Sequence, residues 1–90
     1  MEQISYTAFD KNFPCPCCGY LTINDQPPGT FEICPICFWE DDNVQFNDID
    51  FEGGANSESL RQARENFKNH KVSLLSFKNN VRDPLPEEYP

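Results

Sequence analysis

A small α+β domain is the fold class this sequence predicts: an antiparallel hairpin or three-stranded sheet with one amphipathic helix packed against it. Three observations lead there. Two Cys-Pro-x-Cys turns, Cys15–Cys18 and Cys34–Cys37, are separated by fifteen residues. Between them lie two short β-prone runs on either side of a strong turn signal, and after them comes one stretch with helical periodicity.

The elements follow in order. Residues 1–12 form a lead-in without a clean period, although Tyr6 and Phe9, with Phe13 just after them, can cover a core. Tyr20-Leu21-Thr22-Ile23 reads as a strand, Asp25-Gln26-Pro27-Pro28-Gly29 as a turn, and Thr30-Phe31-Glu32-Ile33 as the returning strand. Asn43-Val44-Gln45-Phe46 is a candidate third strand. Gly53-Gly54 closes a loop, and Asn56 or Ser57 offers a cap for a helix over about residues 57–69. Leu60, Ala63 and Phe67 give that helix its apolar stripe, and Arg61 and Glu65 stand four apart for pairing. Val72–Phe77 fits a strand or a helical segment equally. Pro84, Pro86 and Pro90 prevent a continuous helix in residues 81–90, which should lie extended along the body or hang free. The domain proper is thus expected over residues 13–80.

A chain of 90 residues suits one domain. At this size only about 60–65% of the unfolded surface is hidden, so a metal or covalent staple helps considerably. Eight phenylalanines in a chain that is 38% apolar predict a core rich in rings. The start, Met1-Glu2-Gln3-Ile4-Ser5-Tyr6, lacks the apolar run of a secretory signal, and no stretch approaches the roughly 18 apolar residues that cross a bilayer. We therefore expect a cytoplasmic protein whose five cysteines serve metal or redox chemistry rather than disulfides.

Charge is unevenly placed. The net charge is −8; residues 1–60 hold eleven acids and one base, whereas residues 61–90 hold six bases and four acids. Such a surface repels phosphate backbones and anionic membranes, which argues against nucleic acid and membrane as partners. The exception is a local strip of Arg61, Arg64, Lys68 and Lys71, the only basis here for a nucleic-acid reading.

Paired Cys-x-x-Cys turns carry the most specific chemistry. Two cysteines three positions apart in a tight turn can face one ion, and a tetrahedral zinc site takes four such donors. Proline at the second position presets φ, and Gly19 relieves a position that can require φ > 0; Phe38 replaces glycine in the second turn. Cys15, Cys18, Cys34 and Cys37 are therefore the expected ligands of one structural Zn²⁺, with Fe²⁺ fitting the same donors. Cys17 is surplus: a projecting side chain, an alternate ligand, or a thiol made reactive by the nearby metal. A thioredoxin-like dithiol would need a βαβ setting that the proline-rich hairpin does not offer.

Other patterns are weaker. Asp48-x-Asp50-x-Glu52-Gly53 begins like a calcium loop, but Ser59 occupies the twelfth position, where a glutamate is needed. Glu40-Asp41-Asp42 reads as a solvated turn or as part of an acidic face for a basic partner. His70, the one histidine, suits a helix end better than a metal whose four places cysteines already fill. No nucleophile motif or phosphate-cradling loop is present, so no catalytic residue is assigned.

Phe13-Pro14-Cys15-Pro16-Cys17-Cys18-Gly19-Tyr20 and Ile33-Cys34-Pro35-Ile36-Cys37-Phe38-Trp39-Glu40-Asp41-Asp42 resemble the bacterial cysteine-rich CPCC family. So do Gly53-Gly54-Ala55-Asn56, Ala63-Arg64-Glu65-Asn66-Phe67 and Val81-Arg82-Asp83-Pro84-Leu85-Pro86. The resemblance covers about residues 13–87 and implies a small bacterial cytosolic protein, without implying an activity. The paired turns are also similar to a zinc ribbon, which implies the same four ligands. The functional expectation is a zinc-stabilised module that binds a protein partner. A thiol redox protein or enzyme using Cys17 and a nucleic-acid-binding ribbon are the alternatives.

Overall fold

The computed structural model describes residues 12–90; the expected roles of Tyr6 and Phe9 fall outside them. A two-stranded antiparallel sheet pairs β1 (Phe13–Pro14) with β2 (Leu21–Ile23). The first cysteine turn is the tip of this hairpin. Cys15 N–H donates to Tyr20 C=O at 2.9 Å and Gly19 N–H to Cys15 C=O at 2.9 Å.

The second turn repeats that pattern. Cys34 N–H donates to Trp39 C=O at 2.9 Å, Phe38 N–H to Cys34 C=O at 2.8 Å, and Ile33 bridges Glu40. This arrangement replaces the expected pairing of residues 20–23 with 30–33. A Cys-x-x-Cys turn is short enough to fold its own flanks together, so each run pairs across its nearest turn. Residues 24–32 instead cross between the turns, fastened where Asn24 and Asp25 N–H donate to the Glu32 carboxylate.

The predicted third strand is a short helix, α1 (Asn43–Asn47). Asp42 decides this: its carboxylate accepts from Val44 N–H at 2.7 Å and Gln45 N–H at 3.3 Å, so the chain is capped into a helical turn. Asp42 titrates below its usual value; burial works to raise it, but the N–H groups of Ala55, Gln45 and Val44 outweigh that.

Behind α1 lies a polar hub. Gln45 is fully buried, its amide nitrogen near the carbonyls of Phe51, Asn56 and Glu58 and its oxygen accepting from Asn56 N–H and Nδ2. Asn56 in turn accepts from Glu40 N–H and donates to Glu40 C=O. Because Asn56 is used there, the longer helix α2 (Leu60–His70) is capped by Ser59, whose Oγ accepts from Gln62 N–H at 3.1 Å. The expected caps, Asn56 and Ser57, do not serve.

Leu60 and Ala63 of α2 are buried and Phe67 is half-buried, as the spacing predicts. Arg61 turns away from Glu65 and pairs with Asp50 at 2.6 Å; Glu65 instead accepts from Asn69. Lys71, at φ 65°, ends the helix by donating its N–H to Phe67 C=O. Residues 72–74 are neither strand nor helix, with Val72 and Ser73 buried and Ser73 N–H meeting Cys37 C=O at 2.7 Å, and a 3-10 helix then runs over Leu75–Asn80. The last residues contain a second 3-10 turn, Pro86–Glu88, and lie on the body: Arg82 forks onto Glu88 at 2.9 and 2.8 Å, and Tyr89 meets Tyr20 edge-on. Arg82 holds the Glu88 carboxyl below its usual range.

The core is Cys15, Ile23, Cys34, Ile36, Cys37, Trp39, Leu60 and Ala63, with Phe13, Tyr20, Ile49 and Phe67 packed against it. Among the described residues the expected ring-rich core does not form. Trp39, 1% exposed, is the one fully buried aromatic among the described residues, while Phe31, Phe46 and Phe51 are exposed. Sulfur takes the centre, and the described phenylalanines sit around it or on loops.

Gly54 touches the hub so closely that a Cβ would lie 2.7 Å from Asp42 Oδ2 and 2.9 Å from Gln45 Cδ and Oε1. Both neighbours are held by hydrogen bonds and cannot give way cheaply. Gly54→Ala should cost about 1–3 kcal/mol in denaturant unfolding of the metal-loaded protein; an unchanged midpoint would show that the hub is loose.

Candidate metal centre

Each turn places its first and last cysteine inward because a hydrogen-bonded knuckle brings residues three apart to the same side. Cys15 Sγ lies 3.6 Å from Cys37 Sγ, and Cys18 Sγ lies 3.7 Å from Cys34 Sγ. All four sulfurs lie within 4.8 Å of one another. Four thiolates about 2.3 Å from one ion in a tetrahedron stand about 3.8 Å apart, and the two closest sulfur pairs match that edge length. The group is geometrically capable of chelating a metal ion.

The surroundings suit negative sulfur. Cys17 N–H points to Cys15 Sγ at 3.4 Å, Ile36 N–H to Cys34 Sγ at 3.4 Å, and Trp39 N–H to Cys37 Sγ at 3.5 Å. Thr22 Oγ1 lies 3.0 Å from Cys34 Sγ. Cys15, Cys34 and Cys37 are buried, and Cys18 is half-buried. With protons rather than a cation among them, the thiols differ sharply in acidity. Contacts with Cys15, then Cys18 and Cys37, drive Cys34 far below its usual value, while contacts led by Cys15 push Cys18 and Cys37 far above it. Four thiolates this close repel one another, and a divalent cation among them removes that conflict.

Each knuckle is fastened from outside through its proline carbonyl. Arg64 Nε of α2 donates to Pro16 C=O at 2.9 Å, and Arg82 N–H donates to Pro35 C=O at 3.1 Å. The second knuckle differs at one point: Phe38 takes φ 71° where Gly19 takes φ 83°. Its ring stacks on Phe77 with centroids 4.6 Å apart, which holds a residue with a Cβ in a region that favours glycine.

The remaining candidates fall elsewhere. Cys17 is half-buried against the core and lies outside the four-sulfur group; among the described residues no disulfide forms. Asp41 and Asp42 are buried, so Glu40-Asp41-Asp42 is not a solvated turn. Asp41 accepts from Thr30 N–H and Oγ1, and thereby ties the second turn to the crossing segment. Among the described residues, Asp48, Asp50 and Glu52 are not part of any convergent ligand group, and Asp50 is paired with Arg61. His70 is exposed at the end of α2. Of the basic strip, Arg61 and Arg64 are engaged as described, and Lys68 and Lys71 are exposed. Sequence reasoning missed Gln45 and Asn56; the Asp42-x-x-Gln45 spacing of a capped helical turn was the available signal.

Comparison with known proteins adds one finding. The family model described as "Cysteine-rich CPCC" matches residues 13–88, and the chain belongs to that family. Among curated proteins nothing matches it.

The left-handed turn positions can be weighed directly. Nothing lies within 4 Å of a Cβ at Gly19, so Gly19→Ala should cost only its conformational penalty, about 1 kcal/mol. At position 38, Phe38→Gly should be more stable than Phe38→Ala by about 1 kcal/mol, the reverse of the usual order, because both lose the ring and only alanine keeps the strain. Equal stability of the two variants in chemical denaturation would show that the second turn is not fixed at φ > 0.

Proposed function

We propose that this member of the cysteine-rich CPCC family is a cytoplasmic, zinc-ribbon-like module in which one Zn²⁺ on Cys15, Cys18, Cys34 and Cys37 holds together a surface for a protein partner. The observation that supports the metal assignment is the convergence of four sulfurs, all within 4.8 Å of one another, from two matching turns. Four thiolates fill a tetrahedron and leave no position for water or substrate, which is the donor set of a structural zinc rather than a catalytic one. Fe²⁺ fits the same donors; closed thiolate coordination and the ready availability of zinc to such sites favour Zn²⁺.

When bound, the ion supplies folding energy, since the unfolded chain offers no formed site. The chain's own residues do the rest. Backbone N–H groups of Cys17, Ile36 and Trp39 moderate the sulfur charge, and Trp39, Ile23 and Leu60 keep water away. Elemental analysis of untagged protein should give one zinc per chain. Serine at any of Cys15, Cys18, Cys34 or Cys37 should abolish tight binding and unfold the domain, whereas Cys17→Ser should keep both metal and fold. Metal-free protein that remains folded under reducing conditions would overturn the assignment and favour thiol chemistry.

Support for a partner comes from apolar side chains left outside. Phe31 is 53% and Ile33 49% exposed. Ile33, with Phe38 and Phe77, borders a shallow depression of about 90 Å³ that also includes Glu40 and Ser57. An apolar floor with an acidic edge suits a partner segment that is apolar and basic. A double variant, Ile33→Ser with Phe77→Ser, should retain the metal and lose a partner that the wild-type protein captures from its native cytoplasm; capture unaffected by the change would move the partner surface elsewhere.

A further inference from the structure

A cleft lies where the C-terminal residues cross α2 and the two knuckles. It has a volume of about 580 Å³, within the range of small-molecule sites at roughly 300–1,000 Å³. Its apolar wall is built of rings: Tyr20 meets Phe67 at 6.2 Å and Tyr89 at 5.2 Å, both edge-on, with Ile36 behind. Aromatic side chains of this kind offer a further ring stacked or edge-on contacts.

The charge of the cleft is opposite to that of the chain. Lys71, Lys78 and Arg82, three of the seven Lys and Arg residues in a protein of net charge −8, line it together. Arg82 is committed to Glu88. Among the described residues, neither lysine forms an ion pair with a carboxylate. Lys78 donates one proton to His70 C=O at 2.6 Å and has two more to give; Lys71 stands 5.9 Å from the Phe67 ring centroid. Asp83 is the single carboxylate in the lining, so cationic ammonium groups prevail on this wall.

We propose that this cleft binds a small organic anion carrying a flat ring, the ring lying against Tyr20, Phe67 and Tyr89 and the anionic group against Lys71 and Lys78. A polyanionic strand is disfavoured by the charge of the whole molecule, and an inorganic anion alone leaves the rings unused. The site is separate from the Ile33–Phe77 depression and does not depend on the partner reading. Its walls come partly from residues 81–89, which gives the docked C-terminal segment a role beyond covering the core.

The test is a heteronuclear NMR titration of the full, metal-loaded chain with two probes that share the chemistry but differ in source, indole-3-acetate and adenosine 5′-monophosphate. Saturable shifts should map to Tyr20, Phe67, Lys71 and Tyr89 with at least one probe, and a preference between the two separates a carboxylate ligand from a phosphate. Indole, adenosine, acetate and inorganic phosphate should each bind more weakly. Lys71→Gln with Lys78→Gln should weaken binding about tenfold, Tyr89→Ala should weaken it too, and Asp83→Asn should strengthen it. These side chains are exposed, so the variants should keep the wild-type spectrum away from the cleft. The proposal fails if neither probe shifts the cleft at about 10 mM, or if binding is indifferent to both lysines.

Discussion

Four sulfur atoms meeting near the middle of a 90-residue chain are the constraint on which the rest of the structure depends. A chain of this size has little apolar material to spare, and here much of it stays outside: Phe31, Ile33, Val44, Phe46 and Phe51 are all exposed. Three of the core positions are themselves cysteines. The four-sulfur group therefore occupies a centre that hydrocarbon alone does not fill. Trp39, Leu60, Ala63 and Ile23 then form a cover that excludes water from the group.

Around that centre the chain is ordered by polar groups used in place of regular structure. Only five of the described residues form the sheet, yet the turns reproduce each other's hydrogen bonds closely. Gln45 and Asn56 satisfy backbone groups of the connecting loop that no strand or long helix would satisfy, and Gly54 lets that loop approach them. Arg64 and Arg82 reach the two proline carbonyls, so α2 and the C-terminal residues each grip one knuckle. Helix, tail and both turns are in this way fastened to a single object. The cleft beside Tyr20 exists because that last grip brings Arg82 and Tyr89 back onto the body.

The clustering of the four cysteines was legible in the sequence, and much of the scaffold was not. The spacing within each turn determines which cysteines face inward, a local property that needs no knowledge of the fold. Helix α2 was legible for a similar reason, since Leu60, Ala63 and Phe67 fall on one face. The pairing of residues 20–23 was misread because β-prone composition names a strand without naming its partner, and the nearer flank across the cysteine turn is the better one. Residues 43–46 were misread because Val44 and Phe46 favour a strand, whereas one carboxylate, Asp42, caps the helix they form. The buried roles of Asp41, Gln45 and Asn56 depend on contacts across the molecule, which composition does not show.

X-ray absorption at the zinc edge of the metal-loaded wild-type protein reads the coordination of the four cysteines. The account predicts a first shell of four sulfur neighbours at about 2.3 Å and no lighter atom. Nitrogen or oxygen neighbours at about 2.0–2.1 Å, or fewer than four sulfurs, would contradict it by showing a site that is open or built from other residues.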